Sequence, residues 1–143
     1  LDGLKEIRVF NIKDQFYGRL EKLTANITAR TSCKVTLHDL SDERALYDSI
    51  ETSDILTNGT SVGMAPNTDA CLIKNTDVFR KELIVSDVIY NPEQTKLLKL
   101  ASEKGCPTFN GLYMLLYQGA AAFKIWTGQD MPVDIIKEKY FTR

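Results

Sequence analysis

The chain has 143 residues, 43% of them apolar and 26% charged, with a formal net charge of −1 at pH 7. These values fit one ordinary soluble domain with a real core. They exclude nucleic acid and anionic membranes as electrostatic partners, since no basic block is present, and no apolar run approaches the roughly 18 residues of a membrane span.

The first predicted element is a short strand, EIRVFN (residues 6–11). A helix follows, with Phe16, Leu20, Leu23 and Ile27 as its apolar stripe and Asp14 at its start. KVTLH (residues 34–38) is the next strand, after which Ser41 can cap a helix carrying Ala45, Leu46 and Ile50. DILT (residues 54–57) is a third strand, and it runs into a loop, NGTSVGM (residues 58–64), with two glycines. LIVSDVIY (residues 83–90) is continuous and β-branched, as expected of a strand buried on both faces. Asn91-Pro92 breaks that run and starts a helix through Leu97, Leu98 and Ala101, which Gly105 ends. Residues 106–109 form a last short strand. Asn110 caps a buried helix that Gly111 opens and Gly128 stops, and residues 133–141 form a terminal amphipathic helix through Ile136 and Tyr140.

Cys33, Cys71 and Cys106 are odd in number, widely spaced and without metal-type clustering. They read as reduced thiols of a cytoplasmic protein. The sequon matches at Asn26 and Asn58 read as chance. The single histidine, His38, excludes a multi-histidine metal site and reads as a half-exposed strand residue. No metal is expected. The sequence opens at Leu1 without a methionine, so the expectation is a piece of a longer polypeptide.

Strands alternating with helices predict an α/β chain with a parallel sheet. In such folds ligands lie beyond the carboxyl ends of the strands. That rule selects residues 11–14, 58–64, 87–91 and 110–114, which should line one edge of the sheet. From position alone Asp14 reads first as a helix N-cap, and second as an acidic residue for a ribose. Gly59 and Gly63 allow close approach of backbone to a flat ligand, or simply make a turn. Tyr90 and Asn91 position a ligand or close a turn. Gln118 poses a separate question. At about 100° per residue it shares a stripe with Gly111, Met114, Leu115 and Ala122, and a buried amide without partners costs about 1–3 kcal/mol.

Three blocks carry a family resemblance. They are NGTSVGM (residues 58–64), DVIYNP (residues 87–92) with Thr95, and GLYMLLYQGA (residues 111–120) with Phe123 and Trp126-Thr127-Gly128. In this order and spacing they resemble the shikimate dehydrogenase family. VFNIKDQF (residues 9–16) is most similar to its quinate/shikimate dehydrogenase branch.

The resemblance implies a Rossmann-like parallel sheet with helices on both faces, lacking the first strand and glycine-rich turn, plus C-terminal helices. Residues 1–143 would be a partial NAD(P)-binding domain. It implies reversible hydride transfer between NAD(P) and shikimate or quinate, in aromatic amino-acid biosynthesis or quinate metabolism. The catalytic lysine and aspartate have no counterpart in the chain, so the isolated piece should show little or no catalysis. By the same resemblance Asn11, Ile12, Lys13 and Asp14 hold the adenosine ribose, and Thr60, Ser61 and Val62 lie by the cofactor. Val88, Ile89, Tyr90 and Asn91 run along the nicotinamide ribose. Gly111 meets the carboxamide through its backbone, and Met114 packs on the ring. Tyr90 and Gln118 reach the carboxylate or hydroxyls of a small hydroxy acid. The competing reading of Gln118 is a helix-packing amide bonded to neighbouring backbone. Asp14, standing where NADP-preferring members carry a basic segment, implies NAD preferred and NADP tolerated, with Lys13 offsetting some repulsion. A homodimer fits family habit. A non-catalytic nucleotide-binding or regulatory module is the alternative function.

Overall fold

The computed structural model describes residues 5–11 and 17–141. The chain divides into two compact units, Leu1–Thr52 and Ser53–Arg143.

In the first unit β1 (Glu6–Asn11) and β2 (Lys34–Asp39) pair in parallel, with Glu6 opposite Lys34 and Asn11 opposite Asp39. Both strands fall where the apolar pattern placed them. α1 (Tyr17–Arg30) buries no residue completely. Its half-buried positions are Tyr17, Leu20, Thr24 and Ile27, whereas Leu23 points outward and is 53% exposed. The predicted stripe therefore held at Leu20 and Ile27 and failed at Leu23; Phe16 lies outside the described residues. α2 (Glu43–Glu51) buries Leu46 and Ile50. Its cap is Asp42, whose carboxylate accepts the Ala45 N–H at 3.0 Å. Ser41 instead turns back to β2, its N–H and hydroxyl both donating to Asp39 Oδ1, at 2.9 and 2.7 Å. His38 is half-buried and stacks on Phe10 with centroids 4.9 Å apart.

Glu6 receives Arg8 at 2.9 Å and Lys34 at 3.1 Å. Those hydrogen bonds, the Arg8 one foremost, hold the Glu6 carboxyl below its ordinary value. Arg8 also donates to the Ser49 carbonyl and the Thr52 hydroxyl, tying β1 to the end of α2.

In the second unit β3 (Ile55–Asn58), β4 (Ile84–Asp87) and β5 (Thr108–Phe109) form a parallel sheet with β4 central. The apolar run expected to be one strand from residue 83 to 90 stays in the ladder only as far as Asp87. Beyond it the Ile89 N–H turns to Asp87 Oδ1 (3.0 Å), and the Ile89 carbonyl accepts the Gly111 N–H (3.0 Å). α3 (Lys96–Glu103) starts later than Pro92, because Thr95 supplies the capping hydroxyl for the Leu98 N–H. Gly105 ends it in the left-handed region (φ +85°), while the Cys106 N–H returns to the Ala101 carbonyl at 3.0 Å.

α4 (Leu112–Thr127) is capped by Gly111, one residue later than expected. Asn110 still serves the start, accepting the Leu112 N–H at 3.1 Å and donating to the Glu93 carbonyl at 3.0 Å. Gly128, at φ +71°, closes the helix. α5 (Val133–Tyr140) packs on α4, with Lys137 Nζ 5.1 Å from the Tyr113 ring centroid.

Leu83, Val85 and Ala101 are completely buried, joined in the core by Leu97, Leu98, Cys106 and Leu116. The crossover at residues 59–83, where the sequence reading assigned no helix, adds Ile73, Val78 and Phe79. A single turn of 3-10 helix, Thr76–Val78, capped by Asn75, sets the last two inward.

The expectation of a buried α4 is overturned. Leu116 is its one buried residue, and Leu112, Ala120 and Phe123 are half-buried beside it. The stripe of Met114, Leu115 and Gln118 faces outward instead, and Ile125 and Trp126 are 80% and 82% exposed. With apolar residues around most of its circumference, the helix offered periodicity no way to choose a face. Cys33, Cys71 and Cys106 are free thiols. No helix among the described residues is long and apolar enough to cross a membrane.

Candidate functional site

β3 and β4 end in register, with Asn58 opposite Asp87. Both side chains are buried, at 7% and 3% exposure, and Thr95 beside them is fully buried. An ionisable group placed so deep demands donors. Asp87 finds them from three directions. Asn58 Nδ2 lies 3.2 Å from both carboxylate oxygens, Thr95 Oγ1 donates to Oδ2 at 2.8 Å, and the Ile89 N–H donates to Oδ1 at 3.0 Å. Asn58 extends the network into the loop after β3. Its Nδ2 also donates to the Val62 carbonyl (3.2 Å), and its Oδ1 accepts the Thr60 N–H (3.0 Å) and hydroxyl (2.7 Å). Thr60 Oγ1 in turn accepts the Val62 N–H at 3.1 Å. Among the described residues no buried side-chain polar atom lacks a partner.

This network shapes the two loops that follow the strands. Between them opens a cleft of about 350 Å³ lined by Thr60, Ser61, Met64, Ala65, Val88, Ile89, Tyr90 and Asn91. Six of these were named for the cofactor from sequence, Thr60, Ser61, Val88, Ile89, Tyr90 and Asn91, and Met64 lies in the selected stretch 58–64. Val62 is half-buried beside the cleft, with both its backbone polar groups turned into the network. The Thr60 hydroxyl is engaged as donor and acceptor within the loop, so Thr60 builds the wall. Tyr90 and Met64 stand at the rim, each 46% exposed.

Gly111 is buried behind the cleft. A Cβ there would lie 1.9 Å from the Val88 carbonyl oxygen and 2.5 Å from its carbon. Only glycine lets the start of α4 come this close to the end of β4. The Gly111 N–H is committed to the Ile89 carbonyl, and its own carbonyl accepts the Leu115 N–H. Gly63 (φ +97°) does similar work, packing on Thr95, whereas Gly59 has open space around it. Met114 and Gln118 lie on the exposed face of α4, one and two turns beyond Gly111.

Asn11 ends β1 in the first unit, its carbonyl accepting the Leu40 N–H at 3.0 Å. Ile12, Lys13 and Asp14 lie outside the described residues.

Sequence reasoning assigned no role to Asp87, Thr95 or the Asn58 side chain, and it missed Ala65. A signal for Asp87 was available. A carboxylate in the middle of an apolar β-branched run needs buried donors, and Asn58 and Thr95 stand at the ends of neighbouring elements.

The family described as Shikimate 5'-dehydrogenase C-terminal domain matches residues 111–139. A curated relative, shikimate dehydrogenase (NADP(+)) of Listeria monocytogenes serotype 4b, is 52% identical over 141 residues, covering 99% of this chain and 48% of the relative. A solved structure of shikimate 5-dehydrogenase from Listeria monocytogenes, in complex with shikimate and NAD, is similar with a TM-score of 0.88 and 52% identity. It covers 96% of this chain and 47% of that one. Quinate dehydrogenase from Corynebacterium glutamicum, in complex with NAD, is similar with a TM-score of 0.80 and 27% identity, over 97% of this chain and 47% of that one. The chain spans about half the length of the curated relatives it matches. These findings bear out the resemblance to the shikimate dehydrogenase family and the α/β, Rossmann-like fold.

Proposed function

We propose that this chain, as a piece of a shikimate dehydrogenase family protein, is the cofactor-binding part of an enzyme that moves a hydride reversibly between NAD(P) and shikimate or quinate. One observation carries the reading. Six residues named for the cofactor from sequence motifs line a single cleft at the carboxyl ends of β3 and β4, the end at which open α/β sheets take their ligands.

The residues fit the nicotinamide end of such a cofactor in size and chemistry. A cleft of about 350 Å³ falls at the lower end of the roughly 300–1,000 Å³ range of small-molecule sites. Its lining combines apolar Met64, Val88 and Ile89 with the Ser61 hydroxyl and the polar tips of Tyr90 and Asn91. The cofactor supplies the hydride chemistry, while the protein binds and orients it. In this reading Thr60, Ser61 and Val62 form one wall and residues 88–91 the other. Gly111 closes the back, leaving a carbonyl lone pair for a carboxamide. Met114 lies against the ring. Tyr90 and Gln118 bind the acid. Asn11, Ile12, Lys13 and Asp14 hold the adenosine ribose, and the Asp14 carboxylate favours free ribose hydroxyls over a 2′-phosphate. NAD is preferred and NADP tolerated. The Listeria relative named for NADP(+) and the Listeria structure with NAD support a site that accepts either. The proposal extends to a small hydroxy acid, not nucleic acid, as the partner, to a cytoplasmic setting and to a homodimer.

The test is a chimera joining residues 1–143 to the part of the 52% identical relative that they do not cover. It should reduce NAD with shikimate or quinate at higher kcat/KM than NADP, whereas residues 1–143 alone should not turn over. An inactive, folded chimera that still binds NADH would favour a non-catalytic nucleotide module. A clear NADP preference would refute the role given to Asp14.

A further inference from the structure

We infer that Asp87 is a positioning residue that sets both walls of the cleft at once, through a buried Asn58–Asp87–Thr95 unit. On one side it holds the Ile89 N–H, fixing the turn by which residues 88–91 leave the sheet. On the other it holds the Asn58 amide, whose remaining hydrogen bonds fix Thr60 and Val62. Through Thr95 it is anchored to the start of α3.

The geometry of the donors gives the carboxylate a part that its amide cannot fill. Each oxygen of Asp87 accepts, and Asn58 Nδ2 faces both of them at 3.2 Å. In Asp87→Asn one of these oxygens becomes an NH₂ that confronts a donor. Asn58 can relieve the clash by flipping, but its oxygen then leaves the Thr60 N–H and hydroxyl. One isosteric change therefore loosens the loop after β3, and, because an amide oxygen accepts less strongly than a carboxylate, it also weakens the Ile89 hydrogen bond that fixes the turn after β4. A merely space-filling residue would not transmit the change across the cleft.

The first readout does not depend on any cofactor. Amide hydrogen exchange of the 143-residue chain, followed by NMR, should show Ile89, Thr60 and Val62 exchanging about tenfold or more faster in Asp87→Asn. Ile84 and Val85, which bond to Asp54 and Pro107 in the sheet, should stay near wild type. Thr95→Ser keeps the hydroxyl and should preserve all three amides. Thr95→Val removes it and should speed Ile89, which decides the matter if Asp87→Asn does not fold. Unchanged protection at Ile89 and Thr60, or acceleration spread evenly over Ile84 and Val85, would overturn the inference.

A second readout rests on the dehydrogenase reading. In the chimera, Asp87→Asn should weaken NADH binding by about tenfold or more, and Thr95→Ser should leave it unchanged. A wild-type chimera that fails to bind NADH counts against the dehydrogenase reading alone, because the exchange pattern judges Asp87 independently.

Discussion

Gly111 offers the sharpest test of how the end of β4 meets α4. Its φ of −76° is one that any residue adopts, so Gly111→Ala is opposed by space and not by backbone conformation. The added Cβ would lie 1.9 Å from the Val88 oxygen and 2.5 Å from the Val88 carbon, both backbone atoms that no rotamer change can move. Overpacking of a tight core costs about 1–3 kcal/mol, and a contact this short belongs at the upper end. Moving α4 away also stretches the hydrogen bond from Gly111 to Ile89, worth about 0.5–1.5 kcal/mol. Against this, alanine restricts the unfolded chain by about 0.4–1 kcal/mol. The net expectation is a loss of about 2–4 kcal/mol. In a urea series followed by the NMR signals of Val85 and Leu116, that is a fall in midpoint of roughly 1–3 M. Gly119→Ala is the control. It lies inside α4 with nothing within 4 Å of the added atom, and its helix propensity gain is about 0.8–1 kcal/mol, so it should stabilise. Gly111→Ala with a wild-type midpoint would refute the close approach and, with it, the shape of the cleft.

Gln118→Ala should leave stability within about 0.5 kcal/mol of wild type, since the side chain is exposed. In the chimera it should raise KM for the acid more than KM for the cofactor, and an unchanged acid KM would remove its assigned role. Glu6 should govern part of the acid response of the first unit. The Arg8 and Lys34 hydrogen bonds hold its carboxyl below the ordinary value in the folded state, so the unfolded state binds the proton more readily. The stabilisation is complete above about 4.5 and is lost as pH falls through the folded value. Urea midpoints measured from pH 7 to 2.5 should therefore fall less steeply in Glu6→Gln, and parallel curves would count against the Arg8–Glu6–Lys34 pairing. Burial raises the thiol pKa values of Cys71 and Cys106. Both should alkylate slowly with iodoacetamide at pH 8 by mass spectrometry and rapidly in urea; fast native labelling of either would contradict that burial.

The elements that carried strong local signals were legible in sequence. β1 and β2 stood out through alternating apolar residues, and Gly105 and Gly128 marked helix ends because only a left-handed residue closes them cheaply. What remained hidden depended on contacts between segments distant in sequence. Residues 83–90 read as one strand, since nothing local shows that Asp87 will take the Ile89 N–H from the ladder. Pro92 looked like a helix start, yet the hydroxyl of Thr95 sets it, held in place by Asp87 from eight residues away. The crossover at residues 59–83 hid Ile73, Val78 and Phe79 among polar neighbours, where no period exists to be read. Six cleft residues were named for the cofactor through their motifs, whereas the network that places them required Asn58 and Asp87 to be seen opposite each other.

Gln118 shows how a sound premise can meet a different structure. A buried amide needs a partner, but this one is exposed, so desolvation asks nothing of it. The question passes to its neighbours. Tyr113, Met114 and Tyr117 are large and apolar, and they are 44%, 50% and 58% exposed around it. A helix apolar on most sides is best satisfied when most sides are covered, and a continuous apolar patch marks a surface that meets something else. Leu116 accounts for the covered side. The other side carries Met114 and Gln118, the two residues assigned to a nicotinamide ring and an acid. In the proposed function that face would be apolar for the ring and polar at one point for the acid. On this reading the weak periodicity of α4, which hid its core face from the sequence, and the lone amide on its outer face have the same origin in the work of a site wall.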